Sequence, residues 1–577
     1  MSQFLTIHRL HLTPLSPIHI GCGEDFEPTN YVIENGWLYG FDPSRAVLTD
    51  AQRQQLADVA RRGSLLGIQR FFRDNASAFK PHAHVLMPVC RGVADLYEKR
   101  IGRAANTEAD GKQVFNLLAI ERHVHTGTQQ LPFIPGSSFK GALRTAWLDE
   151  LNDGKRPRDE DKIREKGSAF MEKRLLWGEG QRGKLGDFET SPLRLLKVAD
   201  LMPICEPERQ VLFAVNRKKR QVMKDGQEVQ PKGIAARKDC VLPGQYRLFA
   251  ADATLPNLLQ QLGATNHKRE ALTPNKQLLT AQGGIDLKHI ARQSNAYHQK
   301  RLHDELGVLD RRGMVNPNWK RGIEALTSDQ SELGRKLKNG DAFLVRLGRY
   351  GGAESKTLSG EGVASIKIMG ARGAKPSYES ATKTVWLAAQ NDNDQKHLIP
   401  FGWAVVEIDP EGDCAALQQW CQDQSRNRPN MANERARFQA LRQAAEAQKT
   451  EQAAKAAARA LALDAERQAA EQRAEDFARM TPQCQEIEKL RQACAEWADN
   501  LPPHGNYKKQ LADANKTGLY QNATRLVKTA LQSADWSAAD KTELADMLTE
   551  WLPKVIAPWD AKEQRKKLQL AQLRGTA

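Results

Sequence analysis

Aromatic side chains are scarce in this chain, where Phe, Trp and Tyr make up 6% of the 577 residues. Proteins that bind single strands by base stacking need closely spaced aromatic rings, so this composition argues against a dense stacking platform. Long apolar runs are missing as well. No stretch approaches the roughly 20 uninterrupted apolar residues of a membrane-spanning helix, and we therefore expect no membrane contact.

The eight cysteines are scattered, and none forms a Cys-x-x-Cys pair or a zinc-finger spacing with histidine. Structural zinc sites of the finger type use those spacings, so the pattern predicts neither a metal ion nor a cofactor. Scattered cysteines favour free thiols in a reducing compartment. We expect a cytoplasmic protein.

Lys and Arg outnumber Asp and Glu by 85 to 70, which gives a formal net charge of +15. This excess favours a polyanionic partner, RNA or DNA, over an acidic small molecule. The length exceeds what one hydrophobic core supports, so the chain should divide into roughly three or four domains.

Residues 133–148 read Phe-Ile-Pro-Gly-Ser-Ser-Phe-Lys-Gly-Ala-Leu-Arg-Thr-Ala-Trp-Leu. Their apolar side chains recur at helical spacing, at Phe139, Leu143, Ala146 and Trp147. This periodicity predicts an amphipathic helix, and Ser137 or Ser138 after the Pro-Gly136 turn is a suitable N-cap.

Lys140 and Arg144 are four residues apart and share one face of this helix. Because a helix N-terminus attracts anions, the two cations and two hydroxyls predict a phosphate site. Replacing both cations with alanine is then expected to weaken RNA binding and its salt dependence. An ordinary capped helix with solvated cations is the alternative.

Residues 210–222 and 228–241 flank Lys224-Asp-Gly226 and predict a hairpin. The cations of its arms are Arg217, Lys218, Lys219 and Arg220, then Lys232, Arg237 and Lys238. Cations on both arms suit a finger lying along a nucleic-acid backbone. A solvated edge hairpin is the alternative.

Glycine-rich stretches raise the question of nucleotide binding. Gly178, Gly180 and Gly183 match the dinucleotide fingerprint but follow a predicted helix rather than a strand, and Leu185 replaces the hydroxyl of a phosphate-binding P-loop. At residues 348–357 a serine precedes Lys356 where the P-loop requires glycine. These loops therefore predict no nucleotide site; the second, with its cations, suits a phosphodiester, and a plain surface loop is the alternative.

Histidines would matter if the chain cut RNA, since metal-independent cleavage needs a general base and a general acid. His19 lies near a glycine loop, and His123 and His125 alternate on a predicted strand. Structural histidines are the alternative. His123 and His125 with a distant carboxylate suit a metal, but the sequence suggests no third ligand.

Periodicity and turn residues predict the regular elements. Strands are expected at 4–12, 31–33, 37–39, 114–125, 193–198, 343–347, 385–388 and 403–408, with an Asn35-Gly36 hairpin turn, and helices at 43–80 and 280–308. Residues 431–480 are rich in Ala, Glu, Gln and Arg without Gly or Pro and predict one long, solvated helix. Residues 482–577 predict a small helical bundle ending in a basic tail at 562–574.

A series of short stretches follows in order between about residues 5 and 410. They are Leu12-Thr-Pro-Leu-Ser-Pro-Ile-His-Ile-Gly-Cys-Gly23, Glu27-Pro-Thr-Asn-Tyr-Val-Ile33, Phe41-Asp-Pro43, Ile134-Pro-Gly-Ser-Ser-Phe-Lys-Gly-Ala-Leu-Arg144, Pro192-Leu-Arg-Leu-Leu-Lys-Val-Ala-Asp200, Val241-Leu-Pro-Gly244, Arg346-Leu-Gly-Arg-Tyr-Gly-Gly352 with Ser355-Lys-Thr357, and Pro400-Phe-Gly-Trp403. Together they resemble the RAMP superfamily (repeat-associated mysterious proteins) of type III CRISPR effector complexes. Within it they look most like the subunits that cap the RNA-bound backbone of the type III-A Csm complex.

The resemblance implies an α+β fold of ferredoxin-like, RRM-related modules, in which hairpin 210–241 looks like the family's protruding thumb. We expect modules at 1–250 and 251–425, a helix or linker at 426–481 and a helical bundle at 482–577. Backbone subunits of the family cut target RNA with a loop aspartate, but Asp25 lacks the flanking pattern. The resemblance therefore implies no catalysis.

The implied function is a non-catalytic subunit that binds guide RNA (crRNA), assists assembly and caps the 3′ end of the RNA–protein backbone in antiviral defence. Its implied partners are guide RNA and the backbone and small helical subunits, with target RNA left open. The alternative is a metal-independent endoribonuclease that processes precursor crRNA. The expected RNA contacts are His19, Gly21, Gly23, Gly136, Ser137, Ser138, Lys140, Arg144, Arg217, Lys218, Lys219, Arg220, Arg346, Arg349, Gly351, Gly352 and Lys356.

Overall fold

The structure is a computed structural model. It describes residues 5–107, 113–115, 118–127, 130–157, 171–172, 174–175, 193, 195–225, 227–229, 235–256, 286–369, 373, 375–426, 428–500, 518–556 and 559–576. Most of the Asp153–Gly167 charged stretch, the glycine connection 178–186 and Lys232 lie outside these residues. The chain forms two compact units, Met1–Glu446 and Ala447–Ala577.

The first unit contains the strands. They are β1 Leu5–Pro14, β2 Gly21–Phe26, β3 Tyr31–Glu34, β4 Trp37–Phe41, β5 Ala83–Pro88, β6 Ala104–Thr107, β7 Gln113–Phe115, β8 Ile120–His123, β9 Lys197–Val198, β10 Met202–Pro203, β11 Arg209–Lys218, β12 Met223–Lys224, β13 Gln227–Glu228, β14 Ala236–Val241, β15 Phe249–Pro256, β16 Ala342–Arg346, β17 Ile366–Ile368, β18 Ser377–Glu379, β19 Thr384–Ala389, β20 Ile399–Pro400 and β21 Trp403–Ile408.

The helices occur in both units. They are α1 Asp50–Arg61, α2 Leu65–Asp74, α3 Ala76–Phe79, α4 Arg91–Arg100, α5 Gly136–Asn152, α6 Leu287–Arg311, α7 Pro317–Thr327, α8 Glu332–Asn339, α9 Ala415–Ser425, α10 Met431–Arg479, α11 Pro482–Asp499, α12 Leu519–Gln532, α13 Ala538–Val555, α14 Ala561–Lys567 and α15 Leu570–Leu573. Short 3₁₀ turns lie at Pro43–Arg45, Lys80–His82, Arg349–Gly351 and Ala353–Lys356. No described helix has both the length and the apolar character needed to cross a membrane.

Two six-stranded sheets organise the first unit. One has the order β10-β15-β1-β21-β16 with β9 paired to β15, and the other has the order β2-β8-β14-β11-β19-β20. Helices α5 and α6 pack on the first sheet, and their apolar residues share its core. With the all-α second unit, this arrangement confirms the predicted α+β class with a helical C-terminal part.

Strand β16 is apolar from Ala342 to Val345 because both of its faces are buried. Phe343 and Val345 point into the core shared with α5, whereas Ala342 and Leu344 point into the core shared with the second sheet. Successive side chains of a strand face opposite ways, so a strand buried on both faces needs apolar residues throughout.

Both sheets combine strands from either side of residue 250. Strand β1 pairs with β15 from Leu5↔Pro256 to Leu12↔Phe249 and with β21 from Leu10↔Ile408 to Pro14↔Ala404. The expected boundary between the modules 1–250 and 251–425 falls inside strand β15. The N-terminal strand is therefore flanked by strands that follow it by more than two hundred residues.

The Asn35-Gly36 prediction is confirmed. Asn35 and Gly36 have φ of 52° and 79°, and Glu34 pairs with Trp37 across a two-residue loop. Positive φ at both central residues is the type I′ conformation that hairpins favour.

The single helix predicted at 43–80 is wrong, because α1, α2 and α3 divide this stretch. Gly63 adopts φ of 62° after α1, and Ser64 then caps α2 by accepting a hydrogen bond from the Gly67 amide. A glycine in the left-handed region followed by a capping serine ends one helix and starts the next.

Helix α10 begins in the first unit, where the Tyr39 hydroxyl donates to Glu434 Oε1 at 2.5 Å. The Tyr39 ring packs against the Phe438 ring. Most of the 49 residues of α10 are exposed. Its apolar positions are mainly alanine, which buries little surface per turn. The predicted long solvated helix therefore lies at Met431–Arg479.

The second unit is a helical bundle around Leu490, Trp536, Leu544 and Leu548. The basic tail predicted at 562–574 is part of this bundle. Leu568, Leu570 and Leu573 are buried in its core, and Arg574 pairs with Asp546 at 2.7 Å. Leucines between the cations give the segment an apolar side that the core takes up.

Candidate functional site

A cleft in the first unit brings together stretches that are distant in sequence. Its volume is about 740 Å³, and the predicted residues that line it are Gly21, Gly23, Ser138, Arg346, Arg349 and Lys356. A larger cleft of about 1240 Å³ shares Arg346, Arg349 and Lys356, and the predicted residues that it adds are Lys218, Lys219, Arg220, Gly351 and Gly352. Three separately predicted loops therefore meet at one place.

Gly348 allows the loop after β16 to lie directly against the backbone of His19. It adopts φ of 84°, and a Cβ at this position would lie 2.3 Å from the His19 carbonyl oxygen. Only glycine combines the left-handed conformation with so close a backbone approach. The loop after β16 is thereby fixed against the segment that leads into β2.

The N-terminus of α5 already holds a carboxylate. Its N-cap residue is Pro135, and the Gly136 amide donates to Asp200 Oδ1 at 2.7 Å. Ser137 and Ser138 lie exposed in the first turn and do not cap the helix. The predicted serine cap is wrong because Asp200, from a distant loop, supplies the acceptor.

Lys140 and Arg144 do not line either cleft within the described part of the chain. Lys140 Nζ donates to the Leu196 carbonyl oxygen at 2.7 Å, and Arg144 forms an ion pair with Glu172. Burial lowers the pKa of both side chains, and for Lys140 the neighbouring Arg144 adds to the effect. The predicted phosphate site and its alternative of two solvated cations both require free side chains, whereas Lys140 and Arg144 are occupied by protein partners.

A different face of α5 borders the cleft. Its residues are Ser138, Gly141, Ala142 and Thr145. The spacing of three and four residues places them on one side of the helix. These side chains are small, so the helix backbone is accessible from the cleft.

The predicted hairpin forms between β11 and β14, from Arg209↔Val241 to Ala214↔Ala236. Both strands lie inside the second sheet rather than on a free finger. Arg217, Arg237 and Lys238 are 6%, 8% and 0% exposed. The expectation of a projecting basic finger is therefore wrong for these strands, because Arg217, Arg237 and Lys238 point into the unit, although Lys218 lines the larger cleft.

Each buried cation of the hairpin has partners from distant segments. Arg217 donates to the Asp392 and Asp394 carbonyl oxygens at 3.0 and 2.6 Å. Lys238 forms an ion pair with Glu121. Burial without such partners would cost several kcal/mol, so these side chains serve the fold.

The remaining predicted cations differ in availability. Arg346 is nearly buried and donates to Glu305 at 2.8 Å and to the Phe401 carbonyl oxygen at 3.1 Å. Lys219 is paired with Glu354 at 2.5 Å. Arg349 is 73% exposed, and Lys356 is exposed and forms no ion pair with the described residues. Among the cations that line the first cleft, Arg349 and Lys356 are the most available to an anion.

Sequence reasoning missed Arg301 on helix α6. Its guanidinium lies 3.3 Å from the centre of the Tyr297 ring and donates to the Glu354 and Thr357 carbonyl oxygens at 2.9 and 2.8 Å. Arg301 therefore fixes the end of the glycine loop. Nothing in the local sequence distinguishes it from other helix-surface arginines, since its acceptors on the loop, the Glu354 and Thr357 carbonyl oxygens, lie more than 50 residues away.

The larger cleft is basic overall, because ten Lys and Arg residues line it against five Asp and Glu. Glu121 lies at the junction of the two clefts. The His19 ring and Lys238 hold the pKa of Glu121 down to about 2, so it stays ionised and compensates the buried lysine. Arg349 Nη1 lies 3.8 Å from the same carboxylate.

The two histidines considered for catalysis are buried. His19 is 1% exposed, and its Nδ1 lies 2.8 Å from the Asp239 carbonyl oxygen. His123 is 0% exposed, and burial lowers its pKa to about 4. The centres of the His19 and His123 rings are 6.2 Å apart. Neither ring lines a cleft among the described residues.

One comparison with known proteins, a match to a family model, agrees with the motif resemblance. Residues 11–257 match the model of the RAMP superfamily. No curated protein matches the chain. Among solved structures, a chain of a Csm–crRNA–target RNA ternary complex of a type III-A CRISPR-Cas system is 17% identical, with a TM-score of 0.37 and coverage of 70% of this chain and 100% of that one. Csm5 of T. onnurineus is 16% identical, with a TM-score of 0.36 and coverage of 69% and 99%.

Proposed function

Residues 11–257 belong to the RAMP superfamily, and from that membership and the shared clefts we propose that the protein is an RNA-binding subunit of a type III CRISPR ribonucleoprotein. Its ligand is guide RNA. Its role is to cap the 3′ end of the RNA-bound backbone by docking on a backbone subunit, with the helical C-terminal unit available for a further protein contact.

The observation that carries the RNA-binding proposal is the convergence of Gly21, Gly23, Ser138, Arg349 and Lys356 on one cleft. Glycines and a small-residue helix face allow a sugar–phosphate backbone to approach the main chain. Exposed cations beside them neutralise phosphates without reading sequence.

The larger cleft adjoins the first cleft and adds further cations to the proposed RNA-binding surface. Lys218 and Arg220 line it together with Val222 and Trp386. A single-stranded RNA of several nucleotides spans two adjoining clefts, with its phosphates on the cations. This size supports a polynucleotide over a mononucleotide.

The burial of His19 and His123 supports a role without catalysis. A general acid or base must come within hydrogen-bond reach of the ribose hydroxyl or the leaving oxygen. His123, with its pKa near 4, is also neutral at physiological pH and a weak base.

The test is the salt dependence of RNA binding to the full chain, measured by fluorescence anisotropy of a labelled single-stranded RNA. Arg349→Ala with Lys356→Ala removes two exposed cleft cations. The slope of log affinity against log salt is negative, and each lost phosphate contact reduces its magnitude by about 0.7. The slope of the double variant should therefore be smaller in magnitude by about 1.4.

Two controls sharpen this test. Lys455→Ala with Arg459→Ala removes the same charge from the exposed part of α10 and should leave the slope unchanged. Lys140→Ala removes the donor to Leu196 and should lower stability by about 1–3 kcal/mol without changing the slope. An unaltered slope in the Arg349/Lys356 variant would exclude the cleft as the RNA site.

Incubation with repeat RNA and EDTA separates this proposal from precursor processing. We expect bound, intact RNA. A discrete cut that leaves a cyclic phosphate, abolished by His19→Ala or His123→Ala in a folded variant, would establish the endoribonuclease instead.

A further inference from the structure

Three potential metal ligands of different chemistry meet beside the first cleft. The Cys22 thiol, the Glu24 carboxylate and the His125 imidazole offer ligand atoms that all lie within 4.8 Å of one another. Thiolate, imidazole and carboxylate are the three protein ligands of zinc. The combination is unlike a surface cluster of carboxylates, which attracts calcium or magnesium.

The backbone explains why these residues converge. Strands β2 and β8 are antiparallel, with a register shift between Gly21↔His123 and Asp25↔Glu121. The shift spans Gly23, whose φ of 84° is open only to glycine without strain. Such a bulge re-aims the side chains next to it, here Cys22 and Glu24, toward the segment that follows β8.

The His125 ring is oriented as a metal ligand is. Its Nδ1 lies 3.0 Å from the Thr126 carbonyl oxygen, which can only accept, so Nδ1 carries the proton. In the neutral ring Nε2 then presents a lone pair. Metal-bound histidines are held in this way by a hydrogen bond from the other ring nitrogen.

That lone pair faces another acceptor. His125 Nε2 lies 3.3 Å from Glu24 Oε2, and the His125 side chain is 9% exposed. Two acceptors at this distance require a cation between them, either a second proton on the ring or a metal ion. Tetrahedral zinc with Zn–N and Zn–O bonds of about 2.0–2.1 Å separates its ligand atoms by about 3.3 Å.

Arg122 contacts both Glu24 and Cys22 of this cluster. Its Nη1 donates to Glu24 Oε2 at 2.9 Å, and the Cys22 thiol lies 3.7 Å from the Arg122 carbonyl oxygen. Carboxylates that bind metals are commonly held by such hydrogen bonds. A thiolate and a carboxylate also supply the two negative charges that balance a divalent ion.

We propose that Cys22, Glu24 and His125 form a zinc-type metal site with a water in the fourth position. The ion joins the bulge of β2 to the segment after β8. It thereby fixes Gly21, Gly23 and Glu24 at the rim of the cleft. The site binds soft or borderline divalent ions, since it contains sulfur and nitrogen ligands.

The experiment is titration of the reduced, metal-stripped full chain with Co²⁺, followed by absorption spectroscopy. We expect one equivalent to bind, with a thiolate-to-cobalt charge-transfer band, and one equivalent of Zn²⁺ to displace it. Cys22→Ser should abolish the band. His125→Gln should weaken binding by at least about tenfold.

Cys205→Ser is the matched control, because Cys205 is also exposed but lies outside the cluster. It should keep the band, the stoichiometry and the affinity. A band that survives Cys22→Ser would overturn the proposal. Failure of the wild-type chain to bind one equivalent would also overturn it and would assign the His125–Glu24 contact to an ion pair. Because neither result depends on RNA, the metal site and the RNA-binding proposal stand or fall separately.

Discussion

At the scale of single residues, the partner decides what a charged or titratable side chain does. Lys140 and Arg349 are both cations near predicted phosphate sites, yet Lys140 donates to a backbone carbonyl and Arg349 is 73% exposed. A cation already bound by the protein gives up that interaction to bind phosphate. The exposed one gives up water and only a loose ion pair with Glu121 at 3.8 Å, so it contributes more to RNA affinity.

His298 gives a residue-scale prediction about pH. It is completely buried against Tyr297 and Trp403, and its ring nitrogens make no hydrogen bond to the described residues. Burial, aided by Arg301 and Arg346, lowers its pKa from 6.5 to about 3. The unfolded chain therefore binds a proton near pH 6.5 that the folded chain refuses until about pH 3.

The contribution of His298 to the free energy of unfolding should consequently be fully present above pH 6.5 and be lost progressively as the pH falls toward 3. The loss is about 1.4 kcal/mol per pH unit. Between pH 6 and pH 4 the fall in the free energy of unfolding should therefore be smaller in His298→Leu than in the wild type by about 2.5 kcal/mol, measured by urea unfolding at several pH values. His303→Leu, at an exposed position, should leave the dependence unchanged. Equal pH dependence in His298→Leu and the wild type would contradict the prediction.

At the scale of elements, the clefts depend on loops whose glycines permit close backbone contact. Periodicity correctly placed strands at 343–347, 385–388 and 403–408, because these runs are apolar and bounded by turn residues. It failed at 43–80, where a glycine and a capping serine divide the helix. It also missed the strand Ala83–Pro88 and the helix Arg91–Arg100.

Gly348 and Gly23 offer a matched test of the loop contact. Both adopt φ of 84°, but a Cβ at Gly348 would clash with the His19 carbonyl oxygen, whereas a Cβ at Gly23 meets nothing within 4 Å. Gly23→Ala should cost only the left-handed strain, about 1–2 kcal/mol. Gly348→Ala should cost about 2–5 kcal/mol, since the backbones must also separate.

Thermal unfolding of the two variants measures this difference. RNA affinity should also fall further in Gly348→Ala, because its clash moves the loop that carries Arg349. Equal destabilisation by the two substitutions would show that the loops do not depend on this contact.

At the scale of the whole molecule, the chain has two compact units, and all residues of both described clefts belong to the first. The boundary lies inside the long helix, after the turns that contact Tyr39. RNA binding should therefore be a property of residues 1–446.

A fragment of residues 1–446 should bind RNA with an affinity within about threefold of the full chain and with the same salt slope. Anisotropy measured side by side on the two proteins checks this. The fragment should lose only protein contacts made by the helical bundle, which pull-down with the other subunits detects. If the salt slope of the fragment were smaller in magnitude than that of the full chain by more than about one, some RNA contacts would lie in the second unit.

The sequence by itself determined the α+β class, the Asn35-Gly36 turn, the solvated helix at 431–479 and the loops that meet at the clefts. These features follow from local rules of periodicity, turn conformation and composition. The tertiary structure alone decided which cations are free, because their partners come from far along the chain. Leu196 binds Lys140, Asp394 binds Arg217 and Glu121 binds Lys238. Sheet register brings these groups together, and no local pattern records it.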